Sequence, residues 1–200
     1  MYKMIKELEL SNEDNFIKCF DHLYQDITSD YDFGSTMKKI IVKEEAKRMD
    51  YSFLCCLLPC SFNDTDFVYS NYTRLENAIY NLLCVNNIAI RKKGDINIEF
   101  IIAKSHDEII ENGFAIHQDT DSIIDGDSYT IIIYLHTNCQ GGELIFYEKT
   151  LCSFEKTITV DPNPSLSSNT KVVIFDGEIF HKPESFYNGQ RCAIVCQVNK

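Results

Sequence analysis

From about residue 95 onward the chain is written in a period of two. Runs rich in β-branched and aromatic residues occupy 96–103, 113–119, 129–136, 144–147, 171–175 and 191–198. Turn formers separate them: Asp125-Gly126-Asp127, Gln140-Gly141-Gly142, and the polar stretch Asp161-Pro162-Asn163-Pro164-Ser165. Alternation repeated over so many short segments is satisfied by strands with one face buried, which predicts a β-sandwich or short barrel. The N-terminal half reads differently. Ser11-Asn12-Glu13-Asp14 is cap-like before Phe16, Ile17, Phe20 and Leu23. Residues 36–49 are rich in Lys and Glu around Ile40, Ile41 and Ala46, and 71–84 places Tyr72, Leu75, Ile79, Leu82 and Leu83 on one stripe. All three stretches predict helices. Helices first and strands later predict an α+β chain in which N-terminal helices buttress one outer face of a β core. Neither an internal repeat nor a Pro/Gly/Ser linker divides it, so 1–200 is expected to be a single domain, with 1–94 mainly helical support.

Bulk properties narrow the function. A chain of 200 residues with 44% hydrophobic and 24% charged residues has the balance of an ordinary soluble protein. The start, MYKMIKELELSNEDNF, lacks the apolar run of a signal peptide, and no stretch approaches the ~20 apolar residues of a membrane span. An intracellular, cytoplasmic protein is expected. The nine cysteines are an odd number without small-domain spacing and read as reduced thiols; Cys55, Cys56 and Cys60, in FLCCLLPC, read as core packing rather than zinc ligands. A net charge of −11 repels polyphosphate backbones and anionic membranes, and the dense basic cluster Arg91-Lys92-Lys93 is short. Nucleic acid and membrane are therefore not expected as partners.

Alternation places His117 and Asp119 of Ala115-Ile116-His117-Gln118-Asp119 on one face. A lone His-x-Asp is a weak signal, and three further residues strengthen it. His181 follows the strand-like KVVIFDGEIF. Ten residues later comes Arg191, sharing a face with Ala193 and Val195 while Cys192, Ile194 and Cys196 point toward the helices. Tyr134 shares its face with Thr130 and Ile132. Two imidazoles and one carboxylate cover one face of an Fe(II) octahedron and leave three positions open, two for a 2-oxo acid and one for dioxygen. An inward Arg191 with the Tyr134 hydroxyl would suit the far carboxylate of 2-oxoglutarate. His136, on the face of Tyr134 but near the strand end, is expected at the rim; Asp121 reads as a loop carboxylate, Glu143 as part of a turn, and His22 and His106 as surface residues. No His-x-His pair of the cupin kind and no H-E-x-x-H occurs, and no further Arg follows Arg191 as a nucleic-acid dealkylase would require.

The succession HQD, YTIIIYLHTNCQGGELIFYE and KVVIFDGEIFHKPESFYNGQRCAIVCQV resembles the Fe(II)/2-oxoglutarate-dependent oxygenases, in particular the prolyl-4-hydroxylase branch that includes the oxygen-sensing prolyl hydroxylases. The likeness covers about residues 95–198 and includes the Gly141-Gly142-Glu143 turn. It implies a double-stranded β-helix (jelly-roll) catalytic core over 95–200, with His117, Asp119 and His181 as catalytic metal ligands and Arg191 and Tyr134 on the cosubstrate. It also implies Fe(II), 2-oxoglutarate and dioxygen as reactants, ascorbate as reductant, and hydroxylation of a protein or peptide side chain such as proline. Two departures stand out: Lys104 lies near where the family often places another Tyr, and the sequence stops at Lys200 without the family's C-terminal helix. The alternative expectation is a weak or inactive oxygenase-fold module that engages a partner protein.

Overall fold

The computed structural model describes residues 4–28, 37–42, 65–89, 97–105, 115–119 and 128–200. In chain order they form β1 (Ile5–Ser11), α1 (Asn15–Thr28), β2 (Met37–Val42), α2 (Thr65–Val85), β3 (Asn97–Ser105), β4 (Ser128–Tyr134), β5 (Asn138–Gly141), β6 (Leu144–Lys149), β7 (Phe154–Val160), β8 (Asn169–Asp176), β9 (Phe180–Pro183) and β10 (Phe186–Asn199). The strands pair antiparallel in two sheets. The larger runs β1-β8-β4-β10-β3-β2, with β5 on the first residues of β10, and the smaller runs β7-β6-β9. From β4 onward the chain passes back and forth between the sheets, and a bridge between His117 and His181 sets the 115–119 segment beside β9.

The larger sheet is covered on both faces, and the period of two decides which residue goes where. From β4 and the residue after it, Ile131, Ile133 and Leu135 meet the helices, while Ile132 and Tyr134 meet the smaller sheet. From β10, Cys192, Ile194, Cys196 and Val198 take the helical side, whereas Ala193 and the partly buried Val195 take the inner side. The helices bury stripes at spacings of three and four: Ile17 and Phe20 from α1, and Leu75, Ala78, Ile79, Leu82 and Leu83 from α2. α2 ends in a Schellman cap, with Ile88 N donating to Leu83 O, Asn87 N donating to Cys84 O, and Asn87 in the left-handed region at φ 56°. The inner core joins Val173 and Phe175 of β8 to Leu144, Phe146 and Val160 of the smaller sheet.

Several elements depart from expectation: β5, β7 and β9 were not foreseen, and of the run 113–119, expected as a strand, the described residues 115–119 form only the bridge at His117. Residues 37–42, expected to be helical, form β2 and pair with β3; Ile40, Ile41 and Val42 are a β-branched run, and the helix-favouring Lys and Glu residues that suggested otherwise lie mostly beyond it. The remainder of that stretch, 43–49, lies outside the described residues, as do Cys55, Cys56, Cys60, Arg91–Lys93, His106 and Asp121. β1 was not expected as a strand, yet its alternating IKELELS pairs along its whole length with β8. Among the described residues no helix is long and apolar enough to cross a membrane.

Glu9 pins β1 to the loop before β8. Its carboxylate accepts hydrogen bonds from Ser165 Oγ at 2.6 Å and Ser165 N at 2.9 Å, and these bonds hold its pKa at about 2 against an ordinary 4.5. A pKa depressed in the folded state stabilises the fold above the unfolded value and loses that contribution as pH falls toward 2. The stability gap between the parent and Glu9→Gln in urea unfolding is thus expected to be widest above pH 4.5 and to close on acidification; a gap independent of pH would contradict the assignment.

Candidate active site

The site lies between the sheets and is built on their pairing. His117 N donates to His181 O at 3.0 Å and His181 N to His117 O at 2.9 Å, so two histidines distant in sequence are locked as one antiparallel pair. Two residues on, Asp119 N donates to Gly177 O at 2.9 Å, and Gly177 N donates to Ser128 O at 2.9 Å. Space at 177 is tight: a Cβ there would stand 2.5 Å from Ser128 Oγ, which would have to turn away, and 3.8 Å from Asp119 Cβ. The 115–119 segment, which contains no strand, is thereby tied at both of its potential ligands.

Ring orientation is fixed by carbonyls. His117 Nδ1 lies 2.9 Å from Ala115 O and His181 Nδ1 lies 3.0 Å from Ile179 O. A carbonyl only accepts, so each Nδ1 carries a proton, and it is Nε2 that offers the lone pair of the neutral ring. Both Nε2 atoms turn toward Asp119, at 3.7 Å from Oδ1 for His117 and 3.5 Å from Oδ2 for His181. The three ligand atoms all lie within 4.8 Å of one another. Burial, acting against the Asp119 charge, holds the pKa of His181 below its ordinary value and favours the neutral ring that a metal needs. The His181 side chain is 4% exposed and that of His117 36%, so the cluster is closed on one side and reachable on the other. Phe175 packs edge-on against His181 with centroids 4.8 Å apart, and Phe146 backs both rings. Three inward ligand atoms, with no fourth His, Cys, Asp or Glu in the cluster among the described residues, suit a metal that keeps open positions.

Arg191 and Tyr134 form the second part. Both are buried, and the Arg191 Cζ lies 5.6 Å from the centre of the Tyr134 ring. The Tyr134 hydroxyl is fully enclosed without a well-formed hydrogen bond to any described residue. Burial raises its pKa above the ordinary value while the Arg191 guanidinium pulls the other way, so the phenol stays protonated and can donate. A phenol that donates, set beside a buried guanidinium, is a donor pair that suits a carboxylate. The Gly141-Gly142 turn presses on the Arg191 stem. Both glycines have positive φ, 78° and 80°, and a Cβ on Gly142 would meet Phe186 Cβ at 3.2 Å, Arg191 Cδ at 3.3 Å and Cys139 Sγ at 3.4 Å. Gly142→Ala is therefore expected to cost about 1–2 kcal/mol from backbone handedness, before any displacement of Arg191. A parent-like melting temperature would contradict the crowding.

His117, Asp119 and His181 thus come together, and Tyr134 and Arg191 come together. His136 does not sit at the rim. β4 ends at Tyr134, His136 takes a φ of 50°, and its Nε2 pairs with Asp21 of α1 on the helical side. The left-handed residue breaks the alternation on which the rim placement relied. Glu143 is turn chemistry as expected, its carbonyl accepting from Glu184 N at 2.8 Å. His22 is exposed, also as expected, and Lys104 stands on β3 opposite Gln190. Sequence reasoning missed Thr130, whose Oγ1 donates to Asp119 Oδ2 at 2.6 Å. The signal was present, since a hydroxyl on the buried face of β4 requires a partner.

No family model matches the chain, and no curated protein matches it. Solved structures do. IDO from Bacillus thuringiensis is 12% identical with a TM-score of 0.50, over 96% of this chain and 89% of that one. An oxidoreductase of the 2OG-Fe(II) oxygenase family from Burkholderia pseudomallei is 12% identical with a TM-score of 0.50, over 96% and 85%. A prolyl hydroxylase from Trichoplax adhaerens, solved with a hypoxia-inducible-factor peptide fragment, is 13% identical with a TM-score of 0.49, over 98% and 83%. The fold is one shared with 2-oxoglutarate-Fe(II) oxygenases.

Proposed function

We propose that the chain is an Fe(II)- and 2-oxoglutarate-dependent dioxygenase that hydroxylates a protein side chain, with proline the leading candidate. The observation that carries this is the pairing of two sites on one interior: an inward His-Asp-His set within 4.8 Å, and a buried Arg191–Tyr134 pair whose hydroxyl has no well-formed bond. The back-and-forth course of β4 to β10 between two sheets supports a double-stranded β-helix. Two cores sharing the larger sheet support a single domain.

The donor set fits the metal. His117, Asp119 and His181 would hold Fe(II), while Arg191 and Tyr134 would take the distal carboxylate of 2-oxoglutarate through a planar fork and a hydroxyl donor. When bound, the iron supplies the centre at which dioxygen is activated as 2-oxoglutarate is converted to succinate and carbon dioxide. The chain's own contribution is to fix and to exclude. The carbonyls of Ala115 and Ile179 keep both imidazoles in the ligating tautomer, and Phe146 and Phe175 keep water from the His181 side. The half-exposed His117 marks the side from which substrate approaches. Ascorbate would serve as reductant. A protein substrate follows from the motif order shared with the prolyl-4-hydroxylase branch, and the charge of −11 weighs against nucleic acid. The test is succinate formation by iron-loaded protein, with and without proline-containing peptides. Peptide-stimulated succinate is expected; absence of both coupled and uncoupled turnover would contradict the proposal.

A further inference from the structure

Resting on the assignment of His117, Asp119 and His181 as metal ligands, we propose that Thr130 is a positioning residue of the centre: its hydroxyl binds Oδ2 of Asp119 and thereby fixes the orientation of the carboxylate toward the two imidazoles.

The two ligands on 115–119 belong to a segment held by one bridge and one backbone hydrogen bond, which fix Cα positions; the orientation of the Asp119 carboxylate is set by contacts of the side chain itself. Rotation about the Cβ–Cγ bond exchanges the two oxygens. The Thr130 Oγ1 to Asp119 Oδ2 distance of 2.6 Å is in the ~2.5–2.7 Å range of a hydroxyl donating to a charged carboxylate, about twice as strong as a neutral bond. Thr130 can impose that orientation because it is itself immobile. It is fully buried on β4, the strand that lies between β8 and β10, and a β-branched side chain has few rotamers to choose from.

One rung of the sheet then serves two ligands. Thr130 stands directly opposite Phe175 on β8, the residue whose ring packs on His181 at 4.8 Å. The hydroxyl of that cross-strand pair holds the carboxylate ligand, and its ring packs on the imidazole that the Ile179 carbonyl orients. The larger sheet, which itself contributes no ligand, thus supports a centre whose ligands lie on the segment beside β9 and on β9 itself.

Four proteins test this: the parent, Thr130→Val, Thr130→Ser and Thr130→Ala. Each is melted in chelator as a check of folding, then titrated anaerobically with Fe(II) and with Co(II), recording the visible Co(II) spectrum. Thr130→Val keeps the shape and loses the hydroxyl, while Ser and Ala differ by that one oxygen and carry the comparison if Val does not fold. Hydroxyl loss is expected to weaken metal binding about 10–100-fold and to change the Co(II) bands as Oδ2 is released, with Ser within about threefold of the parent. Equal affinity and equal spectra for a folded Val or Ala variant would overturn the role of Thr130. So would a Ser variant as weak as Ala, which would assign the effect to the methyl group. A parent that binds neither Fe(II) nor Co(II) would instead overturn the metal-site assignment, and the role of Thr130 with it.

Discussion

Loss of any one of His117, Asp119 and His181 is expected to abolish iron-dependent turnover. With three protein ligands on one face of the metal, removing one leaves a two-point attachment that neither holds the ion nor orients its open positions. Changes to residues that merely support ligands typically cost 10–100-fold in metal affinity, so a ligand deletion should cost more than about 100-fold. The variants differ in what else they disturb. The His181 ring is buried against Phe146 and Phe175, and His181→Ala opens a cavity there, with a stability loss of its own. The His117 side chain is 36% exposed, which makes His117→Ala the cleaner test, with a melting temperature close to the parent. Asp119→Glu should fail as well, because the longer arm moves the oxygens away from Thr130 and from both Nε2 atoms. Bound iron and succinate formation at limiting Fe(II) are the measurements, and near-parent turnover in any Ala variant would refute the ligand assignment.

Arg191→Met is expected to weaken 2-oxoglutarate binding by about 2–5 kcal/mol, the typical loss when one partner of a buried charge pair is removed. Iron binding should stay at the parent value. Arg191→Lys keeps the charge but not the planar two-pronged fork, and should lose less than Met. Tyr134→Phe removes one hydroxyl already lacking a well-formed bond, so the apo fold should tolerate it, with a loss of about 1 kcal/mol in cosubstrate binding. Titrating 2-oxoglutarate into the metal-loaded protein separates these variants from the ligand mutants. Unchanged cosubstrate affinity in Arg191→Met would place the carboxylate pocket elsewhere.

Much of this site is legible from alternation alone. A period of two sorted Ile131 from Ile132 and Cys192 from Ala193 onto the correct faces of the larger sheet, because a one-residue slip would expose an entire apolar set. What periodicity missed has physical causes. β5 and β9 are only four residues long, too short to display a pattern, and β7 is exposed at every residue except Val160, so it carries little hydrophobic alternation. β2 was masked by the Lys and Glu content around it, and β1 by lying ahead of a strong helix signal. His136 misled because a single residue at positive φ reverses facing, and nothing about His announces that conformation. Thr130 was placed on the right face but given no role, since its bond to Asp119 joins β4 to a segment whose own course only the backbone bonds to His181 and Gly177 determine.

The central claim, one metal centre and one dicarboxylate site acting on the same ligand, is tested most directly by anaerobic titration of the apoprotein with Fe(II) and then 2-oxoglutarate. A weak visible metal-to-ligand charge-transfer band is expected to grow with 2-oxoglutarate to a saturating, stoichiometric end point, to be absent in His117→Ala, and to require more 2-oxoglutarate in Arg191→Met. A parent protein that binds Fe(II) yet develops no such band at saturating 2-oxoglutarate would contradict the account.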